Sequence, residues 1–147
     1  TVLLNEVQKL AETNGYKSIL VEAHENKSLA ALLLPSLRQI LFALDRMEQV
    51  SQKVKRSLRI LKSFFNGVKI KVHDIELSLD VDPEAGSADS GDLEADLPVL
   101  LEAVAEAAFD RKTAVAIIID ELQYLSDEEF NSLIMAVHKV SQKSLPV

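Results

Sequence analysis

The stretch that most constrains this chain is Ala114-Val115-Ala116-Ile117-Ile118-Ile119-Asp120-Glu121. An apolar, β-branched run leads straight into two carboxylates. Such a run is short for a helix and rich in side chains that are stiff at χ1, so it reads as a strand buried on both faces. Asp120 and Glu121 then fall at the strand's C-terminal end, where open α/β sheets bind their ligands. Adjacent acids beside a packed strand are costly unless something offsets their charge, and a bound cation does so. The residue types suit metal-assisted phosphoryl transfer, with Asp120 holding hydrated Mg²⁺ and Glu121 polarising an attacking water. At the level of these eight residues, an ordinary strand ending in solvated acids fits as well.

The residues that follow extend the pattern. Asp120-Glu121-Leu122-Gln123-Tyr124-Leu125, then Ser126-Asp127-Glu128-Glu129, resembles the Walker B strand and succeeding helix of AAA-type P-loop ATPases, closest to their bacterial and archaeal ATP-binding branch. Ile19-Leu20-Val21, the long apolar helix after it and Ser87-Ala88-Asp89-Ser90-Gly91-Asp92-Leu93-Glu94 are similar to that branch too, so the resemblance covers most of the chain. It implies a partial P-loop fold of three layers, α/β, with a mainly parallel sheet. It also implies ATP and Mg²⁺ as cofactors, Asp120 and Thr1 as metal residues, and Glu121 as the catalytic residue. The nucleotide comes from the resemblance alone; the residues by themselves indicate only a metal-capable strand end.

The family's phosphate loop reads Gly-x-x-x-x-Gly-Lys-Ser/Thr and feeds directly into a helix. Thr1 matches its last position, the hydroxyl that coordinates Mg²⁺ and belongs to the nucleotide site; the glycines and lysine are not in the sequence. The expectation is therefore that residues 1–147 form a single partial ATPase domain without the phosphate loop and the later strands. The intact protein is expected to hydrolyse ATP, and these residues alone to bind it very weakly.

Composition narrows the classes. The 147 residues amount to one domain, and 48% hydrophobic content suffices for a core. A net charge of −7 argues against wholesale nucleic-acid binding. With no cysteine there is neither disulfide nor thiolate metal site, which fits a reducing compartment. There is no signal-peptide pattern and no apolar run of membrane-spanning length, so the expected location is the cytoplasm, without membrane contact.

Along the chain, apolar residues at 3, 4, 7, 10 and 11 mark one face of a first helix, ended by Asn14-Gly15. Tyr16 to Glu22 reads as a strand, with His24 and Glu25 at its C-terminal end. Ser28 caps a helix carrying Leu29, Leu32, Leu33, Leu37, Ile40, Leu41 and Leu44, with Pro35 in an early turn. The pattern resumes with Met47, Val50, Val54, Leu58, Leu61 and Phe65, as one bent helix or two with a break near Asp45, and stops at Asn66-Gly67. Residues 68–79 alternate as a β-hairpin about His73-Asp74, an insertion in the AAA-like plan. From Asp74 to Glu102 there are ten acids and no base, and 82–91 reads as a mobile acidic loop. Asp80 to Gly91 fails as a calcium loop, because glycine stands at the seventh place and not the sixth. Asp92 or Asp96 caps a helix with Pro98 in its first turn and Leu97, Leu100, Leu101, Val104 and Ala108 inward. Ser126-Asp127-Glu128-Glu129 is a capping box, and Phe130, Leu133, Ile134, Val137 and Val140 form that helix's expected buried stripe. Leu145-Pro146-Val147 reads as the start of a further apolar strand.

The three histidines, His24, His73 and His138, lie on different elements, and no spacing joins them into a metal site. Residues 46–71 hold eight basic residues and one acid, and Lys55, Arg59 and Lys62 share helical spacing. The rival reading is therefore a non-enzymatic interaction domain whose basic helix or hairpin binds a protein or nucleic-acid partner, the less favoured of the two. Self-association through the uncharged Ala114–Ile119 edge is also expected, unless the 68–79 hairpin or Leu145–Val147 covers it.

Overall fold

The computed structural model describes residues 1–46, 49–68 and 81–147. Among the described residues the elements are α1 (Val2–Thr13), β1 (Lys17–Glu22), α2 (Leu29–Asp45), α3 (Gln52–Gly67), α4 (Leu93–Asp110), β2 (Val115–Asp120) and α5 (Asp127–Gln142), with a 3-10 turn at Leu122–Tyr124. The architecture is mixed α/β with a two-stranded parallel sheet among the described residues. The expected hairpin at 68–79 lies, apart from Val68, outside those residues.

β1 and β2 pair in register from Lys17–Val115 to Glu22–Asp120. A parallel pair needs a crossover, and here the crossover is the whole helical body from α2 to α4. Ile19 and Val21 share a face with Val115, Ile117 and Ile119, and that face meets the main core. Ile118 is buried but stands outside that cluster, on the opposite face with Leu20; α1 packs across both strands. β2 is less covered than a strand buried on both faces: only Val115 and Ile118 are fully buried, and Ile117 and Ile119 are partly so.

The helical body follows from local signals. Ser28 accepts from the Ala31 amide, Ser51 from Val54 and Asp92 from Glu94, so each helix begins at a capping side chain. The long apolar segment is two helices, with α2 ending at Asp45. Leu33, Leu34, Leu37, Leu41, Leu58, Leu61, Phe64, Leu97 and Leu100 fill the core. Starting α4 at Asp92 puts Pro98 at its sixth residue, past the first turn, while Asp96 lies inside the helix. The seam between α3 and α4 is held by hydroxyls as well as leucines. Ser51 donates to Asp110 at 2.6 Å and Ser57 to the Ala103 carbonyl at 2.5 Å.

Two expected apolar faces are turned differently. Of the expected α5 stripe, Val140 is buried and Leu133 packs partly buried on the core, whereas Phe130, Ile134 and Val137 remain 41–53% exposed and Ser132 and Ala136 are buried instead. Small residues at four-residue spacing let α5 lie close along α4, and the larger side chains then fall outside. In α1, Leu4 and Ala11 are half-buried, but Leu3, Val7 and Leu10 stay exposed, because a two-stranded sheet covers only a narrow stripe.

The stretch 82–91, expected as a mobile acidic loop, is laid onto α3. The Glu84 amide donates to the Arg59 carbonyl, Ser63 donates to the Glu84 carbonyl at 2.8 Å, and Ala88 is buried. A Cβ on Gly67 would come within 2.7 Å of the Asp89 Cα, so the two backbones meet where only glycine fits.

Candidate functional site

The C-terminal ends of β1 and β2 bring together residues from opposite ends of the chain. Side chains alternate along a strand, so Asp120 lies on the Ile118 face, the face that α1 covers. Thr1 is the N-cap of α1, and its Oγ1 donates to Asp120 Oδ2 at 3.1 Å, from 119 positions away in sequence. The other carboxylate oxygen, Oδ1, accepts from the Glu121 amide at 2.8 Å. Asp120 is thus oriented by both of its oxygens.

Glu121 breaks the strand. Its φ of 60° and ψ of 42° lie in the left-handed region, uncommon for a residue other than glycine. That conformation turns the chain sharply into the Leu122–Tyr124 turn, where the Tyr124 amide donates to the Glu121 carbonyl at 3.0 Å. The Gln123 side-chain amide donates to Glu121 Oε2. Glu121 is half-buried as a residue, while its carboxylate contact with Gln123 is exposed.

The register adds a residue to which the sequence reading attached no role. Glu22 pairs with Asp120 and therefore stands on the same face. Like charges on paired positions of a sheet disfavour one another, and a cation between them relieves that cost. A pattern read within one segment has no access to this neighbour; only the parallel register supplies it.

Hydroxyl and carboxylate oxygens are the ligand types that Mg²⁺ takes, and Mg²⁺ commonly uses one or two protein ligands with the rest from water and phosphate. Thr1 and Asp120 fit that donor set. Among the described residues no group of three or more histidine, aspartate and glutamate side chains gathers into an all-protein cage.

A cleft of about 800 Å³ opens nearby between the loop after β1 and the loop after β2. Lys27, Ser28, Phe64, Leu93, Tyr124 and Glu128 are among its walls; Thr1, Asp120 and Glu121 are not. His24 and Glu25 occupy the loop after β1, both exposed. His24 Nδ1 accepts from the Asn26 amide at 3.3 Å, and His138 lies away on α5.

The basic helix is α3, and much of its charge is answered within the molecule. Lys55 pairs with Asp45 at 3.0 Å, Arg56 with Glu84 at 3.2 Å, and Lys53 and Arg56 both reach Glu106. Burial pushes the Glu84 carboxyl up, but hydrogen bonding with Ser87 and Arg56 and the charges of Arg56 and Arg59 outweigh it and hold the group below the usual carboxylate range.

Comparison of the chain with protein-family models, with curated proteins and with solved structures gives no match. No helix among the described residues is long and apolar enough to cross a membrane.

Proposed function

We propose that this chain belongs to an ATP-hydrolysing domain of the AAA-type P-loop class, with the segment after β2 as its Walker B element. The single observation that carries the reading is the hydrogen bond from Thr1 to Asp120. The family resemblance assigns the two residues to one Mg²⁺ site from sequence positions 119 apart, and the fold seats them in contact at the ligand-binding end of a parallel sheet.

In this reading Asp120 and Thr1 would hold Mg²⁺ and its water, which would supply charge neutralisation for the phosphates of ATP. The Glu121 amide engages Asp120 Oδ1, and Oδ2 is the oxygen that accepts from Thr1. Glu121 orients the attacking water and accepts its proton; the left-handed backbone carries its carboxylate clear of the strand. The phosphate-cradling amides and lysine come from a Gly-x-x-x-x-Gly-Lys segment, which residues 1–147 do not contain. These residues alone should accordingly bind MgATP very weakly, a point calorimetry settles: micromolar affinity would show that the nucleotide site is misplaced.

An interaction surface on the basic helix finds less support, because Lys53, Lys55 and Arg56 already face Asp45, Glu84 and Glu106. The deciding experiment is turnover and nucleotide binding by the whole protein carrying Glu121→Gln. The isosteric amide keeps the shape but loses the charge that orients water, so binding should persist and turnover fall roughly 100-fold or more. Unchanged turnover would return Asp120 and Glu121 to the status of solvated acids.

A further inference from the structure

We infer that Gln123 is a positioning residue for Glu121, an inference that rests on the ATPase reading above. The Gln123 side-chain amide donates to Glu121 Oε2 from two residues downstream, within the turn that Glu121 itself initiates. The two features belong together. The left-handed Glu121 backbone folds the chain back on itself, and that fold brings the side chain of Gln123 to the Glu121 carboxylate. With Oε2 engaged, Oε1 is the oxygen left to meet a water. A carboxylate on a flexible two-carbon stem otherwise samples several rotamers, and a small misplacement of a reacting group costs a large factor in rate.

Gln123 is exposed, so its hydrogen bond contributes little to stability; a donor in water exchanges one partner for another. Its effect is therefore expected in the chemical step and not in folding. The contact also needs an amide donor in particular. Glutamate at position 123 keeps the length and shape of the side chain but offers an acceptor, placing like charge against Glu121.

The test compares wild type, Gln123→Ala, Gln123→Glu and Glu121→Gln in the whole protein, with kcat and KM for MgATP and thermal melts for each. The expected result is a roughly 10-fold fall in kcat for both Gln123 variants, with KM and the melt unchanged, and a deeper loss for Glu121→Gln. An activity-free readout accompanies it: the side-chain amide resonances of Gln123 should move when Glu121 is replaced by alanine. Wild-type kcat in Gln123→Glu, beside a strong loss in Glu121→Gln, would overturn the role of Gln123 and leave the ATPase reading standing. No loss in Glu121→Gln, or no MgATP turnover in wild type, would overturn both.

Discussion

The Leu29 amide donates to the Glu129 carboxylate at 2.5 Å, joining the first residue of α2 to the first turn of α5 across 100 positions. The other oxygen of the same carboxylate accepts from the Ser126 amide at 3.1 Å, completing the capping box of α5. One side chain thus satisfies donors at two helix N-termini, where backbone amides otherwise lack partners. It also ties the loop after β1 to the loop after β2.

Replacing Glu129 with alanine should remove both bonds. The expected cost is about 1–3 kcal/mol, more than a single capping side chain, because a partly buried amide on α2 loses its acceptor as well. Urea denaturation reads this as a lower midpoint with an unchanged slope. Glu129→Gln keeps one acceptor oxygen and should lose less; a midpoint equal to wild type in both variants would mean that neither bond matters.

Glu84 sets a pH dependence. Its carboxyl is lowered in the folded protein, so the stability it contributes is fully present above the ordinary value near 4.5 and is lost as pH falls through the lower folded value. With the side chain 24% exposed, the contribution is modest, about 0.5 kcal/mol. Glu84→Gln should therefore be slightly less stable than wild type at pH 7, and the two melts should converge below the carboxylate range. A gap that persists in acid would assign the effect to packing and not to charge.

Gly67→Ala should be destabilising by about 1–3 kcal/mol, since the added methyl meets the backbone of Asp89, which cannot rotate away as a side chain would. Gly86→Ala is the matched control: nothing lies within 4 Å of its Cβ, but its φ of 84° still carries a backbone cost. Wild-type stability in Gly67→Ala, beside a loss in Gly86→Ala, would show that the contact with Asp89 is not restrictive.

The edge of β2 away from β1 gives a prediction about association. The Val115 amide donates to the Pro146 carbonyl at 2.9 Å, so residues after α5 touch only the start of that edge. Further along, the backbone groups of Ile117 and Ile119 face away from β1, on a stretch without charge, and meet no backbone partner among the described residues. The 147-residue chain should self-associate with rising concentration in sedimentation velocity. A monomer across a dilute-to-concentrated series, with a cooperative melt, would show that the edge is covered.

The sequence by itself determined the local elements. The apolar run into Asp120 specified a strand, serine and aspartate caps specified where helices begin, and Asn14-Gly15 and Asn66-Gly67 specified where two of them stop. These signals are legible because most are satisfied within a few residues, by a side chain bonding a nearby amide or, at Gly15, by a left-handed backbone angle that glycine tolerates; Gly67 instead answers the close approach of Asp89. What the tertiary structure alone decided was which of several apolar stripes is covered. Of the expected stripe Val140 is buried and Leu133 partly so, but Phe130, Ile134 and Val137, which carry the right period, stay exposed while Ser132 and Ala136 are buried, because fit against α4 depends on the volumes of both partners. The same holds at the candidate site. The Asp120-Glu121 pair was visible in the chain, whereas the contact from Thr1, the neighbouring Glu22 and the second bond to Glu129 exist only through the parallel register and the packing of α1, α2 and α5. Periodicity records how much apolar surface a segment must hide; the partner that hides it is chosen by long-range packing, which no single segment encodes.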